Sequence, residues 1–198
     1  MRYGKLYALA NPDPKLIQDT IKFVDTSKME KASTESERVN PAREAELAAK
    51  GKSARNANVT FINEKSVLDR WLMVAKSVNE QIGWDLELDA MENLQYGEYN
   101  KNQYYGWHID QHKDPYADNR VRKCSFSVFL NDDYEGGEFD LETGSPKQEN
   151  QLDRIETFKN MPVNQMIFFQ SEFWHQVRPV TKGVRKSIVG WVLGPKFK

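Results

Sequence analysis

A single change of hydrophobic period at Gly83 constrains the fold of this chain more than any other feature. Before it, Val67, Leu68, Trp71, Leu72, Ala75, Val78 and Ile82 form a continuous apolar stripe, which predicts an amphipathic helix from Glu64 to Ile82. Gly83 stands where a left-handed helix cap is expected. After it, β-branched and aromatic runs predict strands at Leu86–Tyr96, Tyr104–Asp110, Lys123–Asn131, Gly137–Leu141, Gln165–Gln170 and Val184–Leu193. An earlier helix is expected from Pro14 to about Val24, where Leu16, Ile17, Ile21 and Val24 recur at helical spacing. Helices followed by a long series of strands predict an α+β chain, mainly β, with the helices segregated onto one face of the β-structure.

The connections are less regular. Ser27 to Asn58 is rich in Lys, Glu, Ala, Ser and Arg and holds no aromatic residue, so it buries little. It is expected to be a mobile excursion, with a short exposed helix around Ala42 to Lys50 as the variant, and a long loop of this kind is a candidate lid over a substrate. Gly144 to Asn164 is a second polar excursion, and Asp132 to Gly137 is expected to be a hairpin connection. At 198 residues the chain reads as one domain (1–198), with a helical N-terminal part over 1–85 and a β core over 86–195. Cys124 is the only cysteine, which excludes an intramolecular disulfide framework, fits a reducing compartment and is expected to be a small buried strand residue. The net charge of -1 gives no global basic field for nucleic acid or an anionic membrane. No apolar run approaches the ~20 residues of a membrane span, and Met1 to Leu6 lacks the apolar core of a secretory signal. The expected location is therefore cytoplasmic.

The chemistry-bearing residues lie in the β part. His108 and Asp110, two apart, point to one side of a strand only if that segment is extended. With His175 returning from Phe173–Val177, they supply two imidazoles and a carboxylate, a triad that holds a metal on one face and leaves other positions open. His-x-Asp alone arises often by chance; a fourth component sharpens it. Arg185 sits in the otherwise apolar run Val184–Val192 and would be buried there only with an anionic partner. Its planar fork suits the distal carboxylate of a dicarboxylate ligand. Ser187 shares its strand face and adds a hydroxyl donor, and Trp191 follows on the same face as core packing or pocket wall. Tyr99 and Tyr105 are candidate hydroxyl donors or packed rings. His112, in Gln111–Pro115, reads as a loop residue and not as a ligand.

Taken together, His108-x-Asp110, His175, Arg185, the Tyr134–Phe139 turn and the Pro179-Val180-Thr181-x-Gly183-x-Arg185 run resemble Fe(II)/2-oxoglutarate-dependent dioxygenases. Within them the chain is most similar to the prolyl 4-hydroxylase (prolyl/lysyl hydroxylase-domain) branch, over roughly Arg55 to Pro195. The resemblance implies a double-stranded β-helix, a jelly-roll or cupin-like barrel with N-terminal helices packed on one sheet. It implies Fe(II) held by His108, Asp110 and His175, and 2-oxoglutarate held by Arg185 with Tyr99 and Ser187. Tyr105 and Trp191 then stand near the substrate. O2 is the oxidant, ascorbate a family expectation, and the implied reaction is hydroxylation of prolyl residues in a peptide or protein, with release of succinate and CO2. A dioxygenase of another substrate class, such as alkylated nucleic acid or a free amino acid, is the alternative. A non-catalytic β-barrel binding protein is the third reading, which the intact ligand set disfavours.

Overall fold

The computed structural model describes residues 6–32, 55–144 and 154–196. The period change at Gly83 is borne out. The helix predicted up to Ile82 spans Lys65–Ile82 (α2), begins at a Glu64 cap and ends at Gly83, whose φ of 72° is the left-handed conformation that glycine adopts without penalty. The earlier helix, Pro14–Ile21 (α1), ends short of Val24. Trp71 donates its indole N–H to Thr20 Oγ1 at 2.8 Å, and that hydroxyl in turn donates to the Leu16 carbonyl at 2.7 Å. The two helices thus meet through a buried polar contact that leaves no group unpaired.

Among the described residues the strands are, in chain order, β1 (Tyr7–Ala10), β2 (Glu30–Lys31), β3 (Arg55–Asn56), β4 (Asn58–Ile62), β5 (Ala90–Met91), β6 (Leu94–Tyr99), β7 (Tyr104–His108), β8 (Arg120–Phe129), β9 (Glu135–Gly136), β10 (Phe139–Glu142), β11 (Ile155–Phe158), β12 (Met166–Gln170), β13 (His175–Val177), β14 (Val180–Lys182) and β15 (Arg185–Pro195). They build an eight-stranded sheet of order β1-β12-β8-β15-β6-β4-β2, with β5 added beside β15, and a five-stranded sheet of order β11-β10-β13-β7-β3. Strand alternation divides the core in two. Cys124, Phe126 and Val128 of β8, Met166 and Phe168 of β12, and Ile188 and Val192 of β15 pack with Leu16, Ile17, Trp71 and Ala75 of the helices. Phe129, Ile167 and Phe169 face the other way and pack with Phe139, Leu141, Phe158 and Val177 of the smaller sheet. Trp71 stacks on Phe126 with ring centroids 5.1 Å apart, which anchors α2 to the large sheet.

Four expectations need correction. The strand read at Leu86–Tyr96 lies later, as β6. Leu86 is held instead by Asn79, whose side-chain amide exchanges two hydrogen bonds with its backbone, while Leu88 plugs the helix-facing core. The Asp132–Gly137 segment is no hairpin, because β8 and β10 belong to different sheets; β9 pairs with β14 instead. Part of the Ser27–Asn58 excursion is ordered strand: Glu30–Lys31 pairs with β4, and Arg55–Asn56 pairs with β7. Residues 33–54, including the helix considered at Ala42 to Lys50, lie outside the described residues. Fourth, β7 ends at His108, so Asp110 is not a strand residue. Within the Gly144–Asn164 excursion, Ile155–Phe158 is a strand, and residues 145–153 lie outside the described set. Among the described residues no helix is long and apolar enough to cross a membrane.

Candidate metal centre and cosubstrate pocket

The two histidines are brought together by strand pairing. His175 opens β13 directly opposite His108, with ring centroids 4.0 Å apart. Asp110 comes two residues past the end of β7, and its carboxylate oxygens lie 3.7 Å from His108 Nε2 and 3.5 Å from His175 Nε2. One donor atom from each of the three residues falls within 4.8 Å of the other two. Both rings are oriented from behind: His108 Nδ1 meets the Gly106 carbonyl at 2.8 Å, and His175 Nδ1 meets that of Phe173 at 3.0 Å. A carbonyl only accepts, so each Nδ1 carries the proton and each Nε2 turns a lone pair toward the shared point.

The protonation states suit a metal. Burial, and then the neighbouring His175, push His108 down to about 3, so it is neutral near pH 7. For Asp110, burial alone would raise the carboxyl; His175, His108, Arg122 and a hydrogen bond from Ser125 outweigh it and hold the group below the usual carboxylate range. Two imidazoles and a carboxylate on one side of an open point form a donor set suited to Fe(II) with free coordination positions.

Arg185 lies behind this point and is only 1% exposed. Its Nη1 donates to Ser187 Oγ at 3.2 Å, and its guanidinium stands 5.4 Å from the Tyr99 ring and 5.2 Å from that of Phe129. Nε and Nη2 are buried and have no partner among the described residues. The expected carboxylate partner is therefore not supplied by the described residues. Two unpaired charged donors at the closed end of a cavity call for an anion, and a dicarboxylate that also reaches the triad meets that demand. Gly137 makes room for the guanidinium stem, since a Cβ there would stand 3.0 Å from Arg185 Cδ.

Arg185, Ser187 and Trp191 share the inward face of β15, as read from alternation, and line one cavity with Tyr99, Tyr105 and the triad. Ser187 acts first on the arginine, accepting from it. Tyr105 stacks on the His108 ring with centroids 3.5 Å apart, closer to the metal point than a pocket wall requires. A bulge explains this: His175 faces His108 and Val177 faces Tyr105, so β7 carries one residue more than β13 across that stretch, and Tyr105 and His108 reach the same side. His112 stays in the loop at the mouth, against the Tyr116 ring, and is not part of the triad.

Sequence reading missed Arg55, Glu92, Arg122 and Ser125. Arg122 reaches the mouth through a second bulge, between Val192 and Leu193 of β15, which breaks alternation at Lys123. It forms a two-pronged pair with Glu92, both contacts at 2.6 Å, donates to the Asp110 carbonyl at 3.2 Å and lies 4.3 Å over the Trp191 ring. Arg55 stands 4.4 Å over Tyr105. A cleft of about 420 Å³ opens onto these groups. A larger cleft, about 1040 Å³, runs between β1 and α2 and contains no member of the triad, so size does not mark the site here.

Residues 94–193 match the model of the family described as the 2OG-Fe(II) oxygenase superfamily. A PKHD-type hydroxylase of Synechococcus sp. (strain CC9902) is 37% identical over 90 residues, covering 44% of this chain and 35% of the relative. A PKHD-type hydroxylase of Hyphomonas neptunium is 28% identical over 165 residues, covering 81% of this chain and 63% of the relative. The matches to the PKHD-type hydroxylases of Synechococcus sp. strains CC9902 and CC9605 span about a third of those proteins. Among solved structures, the viral collagen prolyl hydroxylase of Paramecium Bursaria Chlorella virus-1, in its 2OG complex, superimposes with a TM-score of 0.63 at 19% identity, covering 96% of this chain and 97% of that one. A Pseudomonas putida prolyl-4-hydroxylase gives 0.63 at 17% identity, covering 97% and 94%. These are likenesses of fold, and the fold is the double-stranded β-helix with helices on one sheet.

Proposed function

Because the chain belongs to the 2OG-Fe(II) oxygenase superfamily, we propose that it hydroxylates prolyl residues of a peptide or protein with Fe(II), 2-oxoglutarate and O2. His108, Asp110 and His175 hold the metal in this reading, and Arg185 receives the far carboxylate of 2-oxoglutarate. The observation that carries it is the pairing of a three-donor cluster with two unpaired arginine donors in one cavity. The prolyl substrate draws its support from the PKHD-type relatives and from the likeness to prolyl hydroxylases.

Fe(II) with 2-oxoglutarate and O2 supplies the oxidising power that puts one oxygen atom on a substrate C–H bond, leaving succinate and CO2. The chain's part is geometric. Arg185, its fork turned by Ser187, fixes the cosubstrate from the closed end. The backbone carbonyls of Gly106 and Phe173 hold both ring tautomers. Tyr105, pushed up to about 12 mainly by burial, stays a neutral phenol beside the metal point. Tyr99 and Phe129 keep water from the arginine, and Trp191 walls the side where substrate enters. The mouth mixes Arg55, Lys113 and Arg122 with Glu30 and Glu92, which suits a polypeptide better than a polyanion.

The test is succinate formation from 2-oxoglutarate under air with Fe(II) and ascorbate, with and without a proline-rich peptide. Turnover raised by the peptide, with one oxygen atom gained on proline, is the expected result. Turnover that no peptide raises would refute the prolyl substrate and leave the oxygenase. Absence of turnover in protein that binds the metal would refute the enzyme.

A further inference from the structure

The two histidines of the triad are not equally well held. His175 sits in the closed core, with the Phe169 ring edge-on at 4.7 Å between centroids and the Phe139 ring beside it at 5.6 Å. His108 is the last residue of β7, and its side chain is 15% exposed against 5% for His175. The contact of its Nδ1 with the Gly106 carbonyl sets the tautomer and aims the ring. Tilt of the ring plane is limited only by what lies against its faces. His175, 4.0 Å away at an angle of 53°, does not lie flat on it.

Tyr105 does. Its ring is nearly parallel to that of His108, at 12°, with centroids 3.5 Å apart. Residues three apart on a regular strand face opposite sides, so this contact exists only through the bulge opposite β13. Tyr105 in turn lines the open cleft at the mouth. Arg55, directly across the β3–β7 pair, places its guanidinium 4.4 Å from the centre of the Tyr105 ring. The face against His108 has no room for it, so Arg55 covers the other one. The order is therefore guanidinium, phenol ring, imidazole. A guanidinium is drawn to the negative face of an aromatic ring and packs flat on it, and Arg55 is only 6% exposed.

We infer that Tyr105 and Arg55 are positioning residues: a stack of Arg55 on Tyr105 on His108 that holds the imidazole plane, and with it Nε2, toward the metal point. The brace rests on the metal reading of the triad given above. It supplies, at a strand end open to the mouth, the packing that Phe139 and Phe169 give His175 in the core. Arg55 acts through Tyr105 and touches neither the metal point nor the imidazole.

The test measures Mn(II) affinity by calorimetry without 2-oxoglutarate or peptide, so a substrate contact of Tyr105 cannot account for a loss, beside the melting temperature of each metal-free protein. Tyr105→Leu, which keeps an apolar side chain and removes the flat face, should weaken Mn(II) about three- to tenfold, the worth of a stacked ring. Tyr105→Phe, which keeps the face, should bind as wild type. Arg55→Lys, which keeps the charge and loses the planar fork, should weaken Mn(II) about twofold, and should add nothing in the Tyr105→Leu background. Trp107→Leu, which truncates an exposed ring of the same strand, should leave the affinity unchanged. Tyr105→Leu or Arg55→Lys binding as tightly as wild type would overturn the brace and leave the metal reading standing. A Tyr105→Phe as weak as Tyr105→Leu would overturn it in favour of the hydroxyl, and an equal loss in Trp107→Leu in favour of general loosening of β7. Wild-type protein that binds no Mn(II) would overturn the metal reading itself.

Discussion

Replacing Arg185 with methionine should push the metal-free protein and its cosubstrate complex in opposite directions. Methionine keeps the apolar stem among Tyr99 and Phe129 and removes a guanidinium that is 1% exposed and has two unpaired nitrogens. Exchange of a buried ionic group for a well-packed apolar one is neutral or stabilising by about 1–4 kcal/mol, so the metal-free melting temperature should hold or rise. With ligand present the sign reverses. Truncating one partner of a buried, hydrogen-bonded charge pair costs about 2–5 kcal/mol, a loss of roughly 30- to 5,000-fold in 2-oxoglutarate affinity. At a 2-oxoglutarate concentration 100 times the wild-type Kd, binding stabilises wild type by about 2.7 kcal/mol. For a chain of this length that raises Tm by roughly 5–10 °C. The same concentration should move the variant by about 3 °C or less. The assay is a thermal melt of both proteins, metal-free and then with saturating Mn(II), with and without 2-oxoglutarate. A variant with the full ligand shift, or one whose metal-free melting temperature falls by several degrees, would refute the assignment and make Arg185 a structural cation.

Two further outcomes follow from packing. Gly190 faces the helix side of β15, and a Cβ there would run into the Phe126 ring and stand 3.0 Å from Leu94 Cδ2. Gly190→Ala should therefore cost about 1–3 kcal/mol by overpacking and lower Tm by roughly 2–10 °C in a thermal melt; an unchanged melt would mean that the ring has room to move. The Cys124 thiol is 0% exposed and pushed up to about 12, chiefly by burial. It should resist a thiol reagent at pH 8 in the native protein and react at once in denaturant; fast native labelling would contradict the packing between β8 and the helices.

What was legible in the sequence follows periodicity. The Val67–Ile82 stripe, the Gly83 cap and the inward set Arg185, Ser187 and Trp191 each rest on several residues repeating one spacing, and each stands in the structure. Short strands carry too few periods to be read. Tyr7–Ala10 and Ile155–Phe158 are four residues each, and two-residue pairings such as Arg55–Asn56 have no period at all. Val59 to Ile62 did carry a strand signal, hidden between a polar excursion and a strong helix. Leu86 and Leu88 misled because their apolar side chains serve the core while Asn79 supplies the hydrogen bonds that a strand would have needed.

In the site, the same rule separates the residues that were found from those that were missed. His108 and His175 sit on strands, and a facing register brings them together. Asp110 meets the two histidines for a different reason from the one read in the sequence: its backbone is held by Ser171 and Arg122, from two other segments, and not by strand alternation. Arg122 was invisible because the bulge at Lys123 reverses its face, and Tyr105 reaches His108 only because β7 carries an extra residue there. A bulge costs the ladder an unpaired residue, and alternation read from a sequence fails at each one. Both bulges border the triad, where an orientation that regular pairing does not provide is required. Departures from period two beside the triad therefore give side chains directions that alternation does not predict, as at Arg122 and Tyr105.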